Sequence, residues 1–96
     1  MLFKILQLKT LQKHYTYIVQ CSDGTYYTGK TKDIDRRMKQ HNGLLAGGAK
    51  YTKQKMPVIL VHLEQYTSNK QACLREAEIK RFTRQKKKKL IDGVID

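Results

Sequence analysis

A β-branched and aromatic run, Tyr15-Thr-Tyr-Ile-Val-Gln-Cys21, breaks at Ser22-Asp23-Gly24 and resumes as Thr25-Tyr26-Tyr27-Thr28. Such residues suit the pleated, half-buried surface of a sheet, and the short Ser-Asp-Gly break between them reads as a hairpin turn. The length of that turn constrains the whole chain. Side chains alternate faces along a strand, so a one-residue change of register carries a tyrosine to the other side of the sheet. A two-residue Asp23-Gly24 turn would pair Tyr17 with Lys30 and put Tyr17 and Tyr27 on opposite faces. A three-residue Ser22-Asp23-Gly24 loop, with Gly24 left-handed, pairs Val19 with Tyr27 and sets the two tyrosines side by side. The second register is the expected one.

The rest of the chain punctuates clearly. Thr31 and Asp33 offer helix-capping oxygens, and Asp33 to Asn42 reads as a short helix stopped by Gly43. At 100° per residue Ile34, Met38 and His41 share one arc, with Arg37 at its rim, so two polar residues face inward. Residues 43–57 carry Gly43, Gly47, Gly48 and Pro57 among Lys50, Lys53 and Lys55, the pattern of a cationic loop or broken helix placed to touch a ligand. Pro57-Val-Ile-Leu-Val-His-Leu-Glu64 is a third strand, apolar on both sides at first and therefore expected to be central or covered by helices. Ser68 with Gln71 resembles a capping box and opens a helix to about Phe82. Its wheel sets Ala72, Ile79 and Phe82 in an apolar stripe with Cys73 and Ala77 beyond, and Glu76 falls between Ala72 and Cys73. Thr83 caps a last helix carrying Arg84-Gln-Lys-Lys-Lys-Lys89, with Leu90 and Ile91 as its packing side. Residues 1–13 mix apolar and basic side chains without a period and form an extension that could add a strand or helix, or fray. Residues 14–96 form one domain. The fold class is α/β: a small three-stranded, mainly antiparallel sheet flanked by helices.

Ninety-six residues, 40% of them hydrophobic, support one compact domain with a small core and exclude wholesale disorder. Lys and Arg total 20 against 8 Asp and Glu, a formal charge of +12. So large an excess favours a polyanion, whether nucleic acid, an anionic membrane surface or an acidic protein, and charge alone does not choose. Cys21 and Cys73 are too few for a secreted disulfide scaffold and form no Cys-x-x-Cys pair; reduced thiols are expected, and no zinc site with His14, His41 or His62. No apolar run approaches membrane-spanning length, and Lys4 and Gln7 interrupt the opening residues too early for a signal core. A soluble, cytoplasmic protein is the expectation.

Taken in order, Tyr15-Thr16-Tyr17, Tyr27-Thr28-Gly29, Arg37, His41 one helical turn on, and Glu76 on a downstream helix resemble the GIY-YIG nuclease domain. The similarity runs from about Tyr15 to Ile91. It includes the small stand-alone bacterial members and, through His41-Asn42-Gly43 and Gly47-Gly-Ala-Lys-Tyr-Thr52, the catalytic subunit of structure-specific junction nucleases. Tyr15 replaces the first glycine of the family name and Thr28 its middle isoleucine, both outside the chemical groups.

The resemblance implies a metal-dependent endonuclease acting on DNA, with a structure-specific role in repair or recombination. In it Glu76 binds one divalent metal, Mg²⁺ or Mn²⁺, Arg37 holds the scissile phosphate, and Tyr17 helps to activate the attacking water with Tyr27 and His41 beside it. Physical chemistry makes the set sensible. Phosphodiester hydrolysis needs an aligned water and positive charge where negative charge develops. Mg²⁺ commonly takes one or two carboxylates and keeps several waters, and a guanidinium fork donates two charge-assisted hydrogen bonds to a phosphate. Lys30, Lys32, Lys50, Lys53, Lys55, Arg84, Lys86 and Lys87 are the candidates for gripping the DNA backbone rather than its bases.

Each residue also has a plainer reading. Tyr17 and Tyr27 could be cross-strand packing, Arg37 and His41 a solvated helix face and a satisfied imidazole, and Glu76 a partner of Lys80 at i+4. The wheel speaks against the last, because a carboxylate inside an apolar arc calls for a cation or metal. Two rival functions stand beside the nuclease: a non-catalytic nucleic-acid-binding module using the same basic surface, and an adaptor whose cleavage depends on a partner protein.

Overall fold

A computed structural model describes residues 13–96. The expectation for residues 1–13 therefore falls, apart from the exposed Lys13, outside the described residues. The elements follow as β1 (His14–Gln20), β2 (Tyr26–Thr31), α1 (Ile34–His41), the single-turn α2 (Lys50–Lys53), β3 (Ile59–Tyr66), α3 (Asn69–Lys80) and α4 (Arg84–Ile91). The three strands form one antiparallel sheet in the order β2-β1-β3.

The hairpin adopts the three-residue loop. Cys21 N–H donates to Thr25 O at 2.8 Å and Gly24 N–H to Cys21 O at 2.9 Å, and Gly24 takes φ +83°, where a Cβ would be strained. Val19 consequently pairs with Tyr27 and Tyr17 with Gly29, so these four residues share one face while Thr16, Ile18 and Thr28 point to the other. Each face has its own core. On the first, Tyr17, Val19, Cys21 and Val58 are buried against Ile34 and Met38 of α1. On the second, Ile18 packs with Ile79 of α3 and Leu90 of α4, extended by Tyr26, Val61 and Phe82.

Local chemistry sets the helix ends as read. The side chains of Asp33, Ser68 and Thr83 accept from the backbone N–H groups of Arg36, Gln71 and Lys86, and Gly43 at φ +77° follows the end of α1.

Two expectations need correction. The third strand is an edge, not the centre: it pairs only with β1, begins at Ile59 rather than Pro57, and leaves Ile59 64% exposed. The consecutive apolar residues come from a bulge. Ile18 pairs with His62 but Val19 with Leu60, so Val61 is an extra residue that breaks alternation, and it is covered on its own side by Ile79 of α3 and Leu90 of α4. On α3 only Ala72 and Ile79 are buried. Cys73 and Ala77 are exposed, because the helix meets the sheet along a stripe narrower than its wheel suggests.

Candidate active site

The site sits where Tyr17 leaves central strand β1 and crosses the backbone of β2 at Gly29. A Cβ on Gly29 would lie 2.5 Å from the Tyr17 Oη and 2.7 Å from its Cζ. The missing side chain is what lets the phenol reach α1. There its Oη lies 2.7 Å from His41 Nε2 and accepts from Arg37 Nε at 3.1 Å. The inward arc read on this helix is correct: His41 is 1% exposed, and Arg37, one turn earlier, stands half-buried at the rim.

Arg37 is held on both sides. Its Nη1 donates to Gln40 Oε1 at 3.0 Å and to the Gly47 carbonyl at 2.9 Å. The loop comes this close because Gly48 has no side chain; a Cβ there would stand 2.4 Å from the Gln40 carbonyl. On the far side of the imidazole, His41 Nδ1 is 2.8 Å from Thr52 Oγ1.

Burial dominates the electrostatics. The Tyr17 phenol is pushed up to about 12, mainly by loss of solvent, with the Arg37 hydrogen bond and charge opposing and Tyr27 and Glu76 adding to the rise. His41 is pulled down to about 4 by burial and by the nearby Arg37 charge, so the imidazole is neutral at pH 7. Burial works against the Arg37 charge, yet the Tyr17 hydrogen bond and the neighbouring phenols raise its pKa further.

Tyr27 joins through ring contacts. It meets His41 edge-on at 5.3 Å and stacks on Tyr51 at 5.9 Å with planes 25° apart. Lys55 Nζ lies 3.9 Å from the centre of the Tyr51 ring, and hydrogen bonds with Thr25 and Lys55 lower the Tyr51 pKa. Tyr51, Thr52 and Gln40 were not among the residues singled out from the sequence. Tyr51 and Thr52 stand within the quoted Gly47 to Thr52 stretch, but nothing local distinguishes them from other polar loop residues.

Glu76 is half-buried on α3, and its charge adds to the rise of the Tyr17 phenol. The plain i+4 partner does form: Lys80 Nζ is 3.6 Å from its carboxylate. Among the described residues no group of three or more His, Cys, Asp and Glu gathers as a metal cage. A single partly sheltered carboxylate fits instead a hard divalent ion that retains most of its water.

The sequence match agrees with this arrangement. A model of the GIY-YIG catalytic domain matches residues 13–89. The chain belongs to the GIY-YIG family, a family of nucleases. Among its relatives, a UPF0213 protein of Staphylococcus saprophyticus is 53% identical over 81 residues, 84% of this chain and 96% of that protein. One from Staphylococcus epidermidis is 51% identical over the same shares. The solution NMR structure of a UPF0213 protein from Bacillus halodurans superposes with a TM-score of 0.54 at 42% identity, over 83% of each chain. That of a protein from E. faecalis reaches 0.59 at 35% identity, over 86% of each.

In this GIY-YIG chain the candidate DNA-gripping cations divide between the two faces. Lys50 and Lys53 are exposed on the helical turn that also carries Tyr51 and Thr52. Lys55 pairs with Asp23 at 3.1 Å beside the aromatic stack, Lys30 donates to Asn69 at 3.1 Å, and Lys32 is exposed. Arg84 and Lys86 stand over Tyr26 and Phe82, 4.7 and 4.2 Å from the ring centres. Those rings belong to the Ile18 core, so the sheet separates these two cations from the phenols; Lys87 is half-buried on the same helix.

Proposed function

We propose that this chain is a divalent-metal-dependent endonuclease that hydrolyses phosphodiester bonds in DNA. The observation that carries the reading is the Tyr17 hydroxyl bonded at once to Arg37 at 3.1 Å and His41 at 2.7 Å. In that setting burial keeps the phenol protonated, with its proton on a neutral nitrogen acceptor and its oxygen steadied by a cation. Arg37, immobilised by Tyr17, Gln40 and Gly47 through Nε and Nη1, offers its Nη2 N–H groups to a phosphate and loses little freedom on binding it. Tyr17 orients the attacking water and takes its proton as it hands its own to His41 Nε2, so no free phenolate forms, while Tyr27 excludes solvent from the imidazole edge. Glu76 would hold Mg²⁺ or Mn²⁺, and the bound ion would supply Lewis-acid chemistry. Lys30, Lys32, Lys50, Lys53 and Lys55 attract the DNA backbone without reading bases, and a branched DNA substrate in repair or recombination suits such backbone recognition.

The test is a panel of flap, fork, junction, duplex and single-stranded DNA with Mg²⁺, Mn²⁺ or chelator. Nicking that needs the metal and disappears in Glu76→Ala and Arg37→Ala supports the proposal. One observation favours the second reading, a binding module that does not cut: Lys80 already balances the Glu76 carboxylate at 3.6 Å. Intact DNA throughout the panel, with retained binding in both variants, would establish that alternative. Cleavage appearing only after a partner protein is restored from extract would instead mark an adaptor.

A further inference from the structure

We propose that Thr52 is a positioning residue that fixes His41 in its Nδ1-protonated tautomer and so leaves Nε2 as the acceptor of the Tyr17 hydroxyl proton. The direction of proton movement rests on the reading above; the tautomer itself does not.

The inference comes from counting protons. Thr52 Oγ1 has one proton and lies 3.0 Å from the Ala49 carbonyl, to which it donates. A carbonyl can only accept, so with the Oγ1 proton on Ala49 O the contact with His41 Nδ1 at 2.8 Å is one in which the nitrogen donates. A neutral imidazole has one N–H, which leaves Nε2 with a lone pair facing Tyr17 Oη at 2.7 Å. Oη already accepts from Arg37 Nε, and its own proton then goes to Nε2. Every proton in the row Arg37, Tyr17, His41, Thr52, Ala49 thereby has an acceptor. Reversing the row would leave two donors on Oη and the Tyr17 proton with no partner, inside a site where Tyr17, His41 and Thr52 are all essentially buried.

The placement is structural as well as chemical. Ala49 O also receives the N–H groups of Thr52 and Lys53, so the turn of α2 anchors the hydroxyl. That one turn presents Thr52 inward to His41 and Lys50 and Lys53 outward to solvent. When Oη takes the proton of the attacking water and hands its own to Nε2, the resulting imidazolium keeps its Nδ1–H on Thr52. This is the role a carboxylate plays behind catalytic histidines elsewhere, here given to a neutral hydroxyl.

The test uses the full chain with ¹⁵N-labelled histidine and long-range ¹H–¹⁵N correlation at pH 7. The expected wild-type result is one imidazole with a pyrrole-type Nδ1 and a pyridine-type Nε2, whose pattern moves toward Nε2–H in Thr52→Val and returns in Thr52→Ser. Single-turnover cleavage should fall about 10²-fold in Thr52→Val with KM unchanged, and stay within about threefold in Thr52→Ser. A wild-type His41 protonated on Nε2, or an unaltered pattern in folded Thr52→Val, overturns the proposal. A shifted tautomer with undiminished cleavage overturns its catalytic part. If Thr52→Val does not fold, Thr52→Cys, a weaker acceptor, and the wild-type spectrum decide. A wild-type chain that cuts no DNA but shows the expected tautomer defeats the nuclease reading and leaves the Thr52 assignment standing.

Discussion

Gly29→Ala is the smallest change that tests how the site is built. Gly29 does not occupy the left-handed backbone region, so alanine is allowed there and would by itself favour the fold by about 0.4–1 kcal/mol through a less flexible unfolded chain. The added methyl, however, would stand 2.5 Å from Tyr17 Oη and 2.7 Å from Cζ. Ordinary contact lies near 3.5 Å, so the ring must retreat by about 1 Å. It cannot do so freely, because Tyr17 is fully buried between the strands and α1. Overpacking of this kind costs about 1–3 kcal/mol, and the retreat pulls Oη out of reach of both His41 and Arg37. Misplacing a reacting group by about 1 Å costs on the order of 10²-fold in rate. We therefore expect Gly29→Ala to lower stability by about 1–2 kcal/mol in urea denaturation and nicking by about 10²-fold. The stability loss should vanish in a Tyr17→Ala background, where no ring is left to displace. An equal penalty in both backgrounds, or wild-type cleavage by Gly29→Ala, would refute this account.

Acid should weaken the fold through His41. Its pKa of about 4 in the folded chain lies below the ordinary 6.5, so between those values the unfolded chain binds a proton that the fold refuses. Stability is complete above pH 6.5 and declines as pH falls to about 4, by up to about 1.4 kcal/mol per pH unit. The wild-type minus His41→Gln difference in denaturant midpoint should shrink over that window, and a pH-independent difference would contradict it. Thr28 Oγ1 is buried without a hydrogen-bond partner among the described residues, so Thr28→Val should raise stability by about 1 kcal/mol, read as a higher melting temperature. Asn42 accepts from Val58 N–H at 2.7 Å and donates to its carbonyl at 3.2 Å. Asn42→Ala should cost about 2 kcal/mol by unpairing both backbone groups, measured in the same denaturation series.

Several features were legible before any coordinates because their causes act over a few residues. The Ser22-Asp23-Gly24 loop set the hairpin register and put both phenols on one face. Asp33, Ser68 and Thr83 opened their helices by bonding N–H groups three residues on, and the spacing of Ile34, Met38 and His41 decided which side of α1 turns inward. The five residues of the family motif could be placed in order on these elements, which is why the outline of the site could be drawn.

Tertiary structure alone decided the rest. The bulge at Val61 and the edge position of β3 depend on how β1 offers its second side, which no count of apolar residues contains. Thr52 behind His41, and Gly29 beneath Tyr17, become meaningful only when segments 11 and 12 residues apart meet. Glu76 shows the division in one residue: its helix position and its i+4 partner Lys80 followed from the sequence, but its half-burial and its reach to the Tyr17 phenol are set by packing. Caps and turns are short-range chemistry carried by neighbouring side chains. Proton order, pKa and the fit of a ring over a bare backbone are properties of contacts that exist only once the chain has closed on itself.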